Sequence, residues 1–193
     1  FTNIGKVYSI YANKLAINND FEPIKKYLNL HQDEYILHIS EYSSDESDLI
    51  LVSKVGKGII TKQKEMLTST RNGKVLINLP NGVSLSVVRK IIGSHIAIIN
   101  DLGNLLVFDH RDIKRLNRGS GVIFQNLKNG KVIDLISINL DEQINLVNKN
   151  TNRSVIKANA IDYLAARGRI GKKIKLRNIS NIPFLRFISN RES

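Results

Sequence analysis

A turn residue, a short apolar run, a second turn, a basic pair or cluster and then an apolar strand follow one another four times along this chain. The clearest copies are Lys54-Val55-Gly56-Lys57-Gly58-Ile59-Ile60 and Asp101-Leu102-Gly103-Asn104-Leu105-Leu106-Val107. Weaker ones are Asn3-Ile4-Gly5-Lys6-Val7-Tyr8 and Asn150-Thr151-Asn152-Arg153-Ser154-Val155-Ile156. Gly5, Gly56, Gly103 and Asn152 stand 51, 47 and 49 residues apart. A second marker, Leu30, Leu79, Leu127 and Leu176, steps by 49, 48 and 49, and each leucine is expected to close an apolar strand. A fixed period of roughly 50 residues built from short strands specifies a repeat architecture, most often a propeller-like ring. Function then lies on a repeated surface rather than in one cleft.

Strand signals dominate. Leu49–Val52, Lys74–Leu79, Ile96–Ile99, Leu105–Phe108, Val122–Phe124 and Val132–Ile136 are short, apolar and bounded by turn residues. Asn72-Gly73, Asn81-Gly82 and Asn129-Gly130 suit tight hairpins, because each favours positive φ. The turns are too closely spaced for βαβ units. Thr61–Ser69, His110–Leu116 and Asn159–Ala166 break the strand pattern at one phase of the repeat and predict one or two helical turns each. The expected fold is all-β: one curved or toroidal domain of about four blade repeats, 1–46, 47–92, 93–140 and 141–193, the first incomplete. Phe1 is not an initiator methionine and runs straight into an apolar strand, which predicts a piece of a longer chain.

Charge narrows the function. The chain carries 29 Lys+Arg and 17 Asp+Glu, a formal net of +12. Residues 1–48 hold 4 basic and 8 acidic residues, whereas 49–193 hold 25 and 9. So one-sided a field attracts polyanions. Cysteine is absent, which excludes disulfides, thiolate metal sites and a Cys nucleophile and fits a reducing compartment. No apolar stretch approaches the roughly 20 residues that span a membrane, and no signal peptide is visible.

Each candidate helical turn leads into a basic, glycine-bearing turn: Thr70-Arg71-Asn72-Gly73-Lys74, Asn117-Arg118-Gly119-Ser120-Gly121 and Arg167-Gly168-Arg169-Ile170-Gly171-Lys172-Lys173. The first repeat has Glu22-Pro23-Ile24-Lys25-Lys26 there, without glycine. Glycine lets the backbone approach a ligand, and Lys and Arg neutralise phosphate. From Arg167 to Arg177, six of eleven residues are basic and none is acidic. Lys173 and Lys175 would share one strand face, with Ile174 and Leu176 on the other. A lysine-guarded edge strand explains that pattern as well as a ligand does. Aromatic residues make up 6% and are not interleaved with the basic turns, so base stacking is disfavoured and duplex backbone binding preferred.

Signals for catalysis are poor. His31, His38, His95 and His110 lack metal-ligand spacing and read as structural or surface residues. Asp33-Glu34 and Asp141-Glu142 read as solvated turns. Gly119-Ser120-Gly121 resembles part of a nucleophile elbow without its strand–turn–helix context. The six tyrosines, Tyr8, Tyr11, Tyr27, Tyr35, Tyr42 and Tyr163, read as core or rim residues. No Walker-type loop, cofactor motif or metal motif is present, so neither a cofactor nor a metal is expected.

Leu51-Val52-Ser53-Lys54-Val55-Gly56-Lys57-Gly58, Arg71-Asn72-Gly73-Lys74-Val75-Leu76-Ile77-Asn78-Leu79-Pro80, Leu116-Asn117-Arg118-Gly119-Ser120-Gly121 and Gly171-Lys172-Lys173-Ile174-Lys175-Leu176-Arg177 together resemble the C-terminal domain of the A subunit of bacterial DNA topoisomerase IV, a relative of the DNA gyrase A tail. The resemblance covers nearly the whole chain. It implies a β-pinwheel, with a strand exchanged between neighbouring blades and a basic outer rim that binds and bends duplex DNA to select and present the segment to be passed. It also implies a non-catalytic piece of an ATP-dependent, cytoplasmic, nucleoid-associated enzyme. The strand-cutting tyrosine would lie in the amino-terminal part of the same polypeptide, and the ATPase B subunit would be a partner. No Gln-Arg-Arg-Gly-Gly box of the gyrase tails is present, which favours topoisomerase IV. The contact residues expected on this reading are Arg71, Lys74, Arg118, Arg167, Arg169, Lys172, Lys173 and Lys175, followed by Lys57, Lys64, Lys114 and Arg115. A gyrase A wrapping domain and a protein-docking propeller are the alternatives.

Overall fold

The structure is a computed structural model that describes residues 1–15, 23–44, 46–151, 153–175, 182 and 185–188. Glu22, Asp45, Asn152, Leu176 and Arg177 of the sequence pattern lie outside the described residues. In chain order the strands are β1 (Lys6–Val7), β2 (Asp48–Ser53), β3 (Lys57–Lys62), β4 (Lys74–Val75), β5 (Leu85–Lys90), β6 (His95–Asn100), β7 (Asn104–Asp109), β8 (Val122–Ile123), β9 (Val132–Ile138), β10 (Gln143–Asn148), β11 (Ser154–Asn159), β12 (Lys172–Lys173) and β13 (Leu185–Ile188). They form antiparallel sheets ordered β5-β2-β3-β8, β12-β7-β6-β9 and β11-β10-β13, with β1-β4 as a separate pair.

The sheets stack face to face, and a core fills each gap. Leu49, Leu51 and Ile59 pack toward Phe1, Val7 and Leu76. Their neighbours Ile50, Val52 and Ile60 point the other way, toward Ile96, Ile98, Leu106 and Phe108. Ala97, Ile99, Leu105 and Val107 then meet Ile144, Leu146, Leu185 and Phe187. Strands buried on both faces need unbroken apolar runs rather than alternation, which is why Leu49–Val52 and Leu105–Phe108 read as they do. Each such side chain contributes about 1.5–3 kcal/mol when fully buried.

The first sequence marker is a hairpin turn. Gly56 (φ 79°) and Gly103 (φ 77°) close β2–β3 and β6–β7. Their N–H groups donate to Ser53 O (3.0 Å) and Asn100 O (2.9 Å). Asn72-Gly73, Asn81-Gly82 and Asn129-Gly130, by contrast, do not join paired strands. Gly73 introduces β4, and the other two lie on the way to β5 and β9, neither of which pairs with the short strand before it. The predicted helical segments shrink to single 3-10 turns, Gln63–Met66, His110–Asp112 and Ala160–Tyr163, because Thr61, Lys62 and Asn159 are taken up by β3 and β11.

Strand exchange joins the sheets. β4, β8 and β12 each leave their own copy of the motif and pair with the preceding one, on β1, β3 and β7. A buried plug follows each exchanged strand: Leu76, Phe124 or Ile174. The plug's N–H donates to Gly5 O (3.0 Å), Gly56 O (2.8 Å) or Gly103 O (2.9 Å). Phe124 also meets Phe108 edge-on at 5.8 Å. A glycine with positive φ precedes each strand: Gly73 (70°), Gly121 (74°) and Gly171 (88°). A Cβ on Gly121 would stand 2.5 Å from Gly58 O, and one on Gly171 would stand 2.4 Å from Leu105 O. These glycines therefore serve close approach to the receiving strand.

At the opposite edge of the sheets, β5 packs against β9 and β9 against β13. Asp134, buried in β9, ties the three together. Its carboxylate accepts from Leu135 N and Phe187 N (2.8 Å each) and from the Arg89 guanidinium (3.3 Å). Burial raises its pKa above the usual carboxylate value, against the opposing pull of Arg89 and the two main-chain donors.

Both kinds of joint can be tested by substitution. Gly121→Ala must adopt left-handed backbone and displace Gly58, so it should lower stability by about 2 kcal/mol or more. A chemical-denaturation midpoint equal to that of the parent would contradict the exchanged-strand joint. A raised folded-state pKa means that Asp134 binds its proton more tightly in the folded chain. The parent should therefore gain stability relative to Asp134→Asn as pH falls through that raised pKa toward the unfolded value of about 3.9. Denaturant titrations at several pH values check the sign, and a parallel pH dependence in both proteins would contradict it.

Candidate nucleic-acid interface

The basic turns immediately precede the exchanged strands: those before β8 and β12 lie at the sheet edges opposite β5 and β9, and the one before β4 leads into the β1-β4 pair. Main-chain bonds lock them in register. Asn29, Asn78 and Asn126 donate their N–H groups to Arg71 O (2.7 Å), Gly119 O (2.8 Å) and Arg169 O (3.1 Å) of the following turn. Gly119 N and Gly168 N donate back to Leu76 O (3.2 Å) and Phe124 O (2.9 Å). Each asparagine stands directly before a marker leucine: Leu30, Leu79 or Leu127. Those leucines lie in loops instead of closing strands, Leu79 and Leu127 just beyond exchanged strands, and their period is that of the turn-to-turn ladder. Through it the turns bearing Arg71, Arg118 and Lys172 follow one another along one rim.

The expected contact residues divide by what holds their charge. Lys74 is ion-paired to Glu65 (3.1 Å), and Arg115 donates twice to Asp48 Oδ2 (2.9 and 2.8 Å). Arg71 donates to the Lys26 carbonyl, Arg167 to the Ile123 carbonyl and Lys172 to the Asp162 carbonyl, so each keeps its charge without an acid. Lys57, Lys64, Lys114, Arg118, Arg169, Lys173 and Lys175 are exposed and have no side-chain partner among the described residues. Lys173 and Lys175 flank buried Ile174, as the predicted alternation requires.

Acidic residues of the first repeat do more than solvate turns. Glu46 takes Lys62 of the second repeat (3.2 Å), and Asp48 at the start of β2 takes Lys62 (3.4 Å) and Arg115 of the third repeat (2.8 Å), an acidic staple across three repeats. Glu34, expected in solvent, is only 6% exposed. It accepts from Thr2 Oγ1 (2.7 Å), Tyr8 Oη (3.0 Å) and His31 N (3.2 Å). Burial and that carboxylate push the Tyr8 phenol up to about 12. Arg111 chelates Asp109 and holds its carboxyl far below the usual range. Burial, with Arg89 nearby, lowers the His38 pKa. Among the described residues no group of His, Cys, Asp and Glu is arranged to hold a metal. No described helix is long and apolar enough to cross a membrane.

Sequence reasoning passed over Lys157, which lies in β11 outside the basic turns. It lines a surface groove of about 410 Å³ with Lys172, Lys173 and Lys175. The available signal was one lysine between Ile156 and Ala158, a charged outward position in a strand.

No family model matches the chain. Solved structures match its architecture: the C-terminal domain of Escherichia coli ParC superposes with a TM-score of 0.76 at 23% identity, covering 90% of this chain and 74% of that one. The fold is the β-pinwheel of the topoisomerase A-subunit tails. The DNA gyrase A C-terminal domain matches with a TM-score of 0.56 at 17% identity, over 97% of this chain and 80% of that one. In sequence, the DNA topoisomerase 4 A subunit of Rickettsia felis is 28% identical over 169 residues, which is 87% of this chain and 22% of that protein. The chain thus spans about a fifth of the length of the curated relatives it matches, and it is similar in sequence to topoisomerase IV A subunits and in fold to their C-terminal domains.

The Lys62 and Arg115 ends of these pairs are 31% and 38% exposed, where water screens an ion pair to about 0–1 kcal/mol, although the Asp48 end is only 13% exposed. Asp48→Asn should therefore release Arg115 and Lys62 from their carboxylate while leaving the thermal midpoint within a few degrees. A collapse of the fold would show that the acidic staple is a structural necessity.

Proposed function

We propose that this chain is the non-catalytic C-terminal DNA-binding domain of a topoisomerase IV A subunit. Its whole length forms one unit, with repeats at about 1–46, 47–92, 93–140 and 141–193. Duplex DNA lies along the rim of basic turns and is bent there, which selects and presents the segment that the enzyme passes. The observation that carries this reading is the ladder of turns. It aligns Arg71, Arg118, Arg169 and the Lys172–Lys175 run, and it leaves most of their charges without acidic partners. Lys57 at the start of β3, Lys64 in the 3-10 turn after it, Lys114 beyond the His110–Asp112 turn and Arg167 add to the field. Lys74 and Arg115 contribute less, because carboxylates already hold them.

On this proposal, strand cleavage belongs to the rest of the polypeptide and ATP turnover to the B subunit, both in the bacterial cytoplasm. A gyrase A tail of the same fold would differ in wrapping DNA with a fixed hand, which a topology assay on relaxed circles distinguishes.

Phosphate contacts predict affinity that falls with salt, log K against log salt steepening by roughly 0.9 per phosphate neutralised. The double substitution Lys172→Glu, Lys173→Glu should weaken binding to all duplexes alike. Filter binding across salt concentrations and several sequences tests this. Salt-independent affinity would contradict phosphate binding, and a loss confined to one sequence would indicate base readout.

A further inference from the structure

The cations of this chain are unevenly compensated. In the second and third repeats, Lys62, Lys74, Arg89, Arg111 and Arg115 each meet a carboxylate, while Lys57, Lys64, Lys114 and Arg118 stand apart from one another without an acid among the described residues. In the fourth, Lys157 of β11 and Lys172, Lys173 and Lys175 on and after β12 face one groove of about 410 Å³, and none of these four lysines is ion-paired among the described residues. The two strands belong to different sheets, so the groove runs along the seam between them. Tyr163 and Asp162 also line it. Asp162 supplies the one acidic side chain among the described lining residues and engages Lys172 through its main-chain oxygen. A second cleft of about 610 Å³ shares Tyr163 and Lys172 with the first and extends to Arg169 of the basic turn. Tyr163 and Lys172 thus form a wall common to both clefts.

Four ammonium groups around one groove repel one another unless a counter-anion sits among them. Their alkyl stems can lie along Ile156 and Tyr163 while the heads stay wet, leaving a trough with an apolar floor and cationic lips. A sugar–phosphate strand matches that cross-section: sugar against the floor, phosphates between the lips. We infer that the seam between β11 and β12 seats one backbone strand of the bound duplex, with Lys157 as a contact residue from outside the basic turns. The inference rests on the duplex-binding reading and gives it an anchor at the fourth repeat. Phosphates enter the trough past Arg169 and leave past Lys157, so the DNA crosses the seam instead of following the exchanged strands alone.

The test uses the 193-residue chain and a mixed-sequence duplex. Lys157→Gln, Lys157→Arg and Lys173→Gln are compared with the parent by anisotropy over a range of salt. Lys157 is exposed and its side chain has no partner among the described residues, so folding should be retained, which an unchanged thermal midpoint verifies. Lys157→Gln should weaken binding several-fold and flatten the salt slope by roughly 0.9, and Lys157→Arg should restore both. If Lys173→Gln weakens binding while Lys157→Gln does not, the seam is overturned and duplex binding by the rim stands. If the parent itself shows no salt-dependent duplex binding, the functional reading fails and the seam with it.

Discussion

Exchange of a two-residue strand between successive sheets is the constraint on which the rest of the structure depends. Two main-chain partners would hold β8 on β3 weakly. The glycine before it and the buried plug after it make the joint firm. Gly121 brings the backbone against Gly58, and Phe124 fills the gap between two sheets and meets Phe108 edge-on. The same three-part joint recurs at Gly73–Leu76 and Gly171–Ile174. Since β1, β3 and β7 each receive a strand from the next stretch of chain, the order of the motif in sequence becomes the order of those sheets in space.

The rim follows from that joint. The basic turn is the segment that delivers the exchanged strand, so every copy must present it at the outer edge, and the Asn78–Gly119 and Asn126–Arg169 bonds hold neighbouring turns at a set spacing. Electrostatics then divides the rim charges into those held by acids and those, Lys57, Lys64, Lys114 and Arg118 among them, that are not. Glu46, Asp48 and Glu65 neutralise Lys62, Arg115 and Lys74 near its beginning, while Lys157, Lys172, Lys173 and Lys175 of the fourth repeat stand without acids among the described residues. The central edge has the reverse arrangement. There one buried carboxylate, Asp134, joins three strands through Arg89 and two main-chain donors.

Much of the fold was legible in the chain. The period marked by Gly5, Gly56 and Gly103 is the hairpin turn itself, and unbroken runs such as Ile96–Ile99 announce strands covered on both faces. The exchange was implied by family resemblance and not by residues, because β8 contains only Val122 and Ile123 and pairs with a strand more than sixty residues earlier. Asn-Gly pairs misled for differing reasons: Gly73 uses positive φ to enter an exchanged strand, Gly82 uses it in the loop before β5, and Gly130 does not adopt it, Lys128 doing so instead. The basic residues were legible as a list, but not as free or committed charges. That distinction depends on acids distant in sequence, as with Asp48 and Arg115. Glu34 was misread because its partners, Thr2 and Tyr8, come from the opposite end of its repeat. Lys157 went unnoticed because its companions arrive from another sheet.

Lysine reactivity mapped by mass spectrometry, with and without a duplex at low salt, tests the central claim most directly. The account predicts that DNA shields Lys57, Lys114, Lys172, Lys173 and Lys175 together and leaves Lys14 of the acidic first repeat as reactive as before. Shielding of Lys14 with the others, or no shielding along the rim, would contradict it.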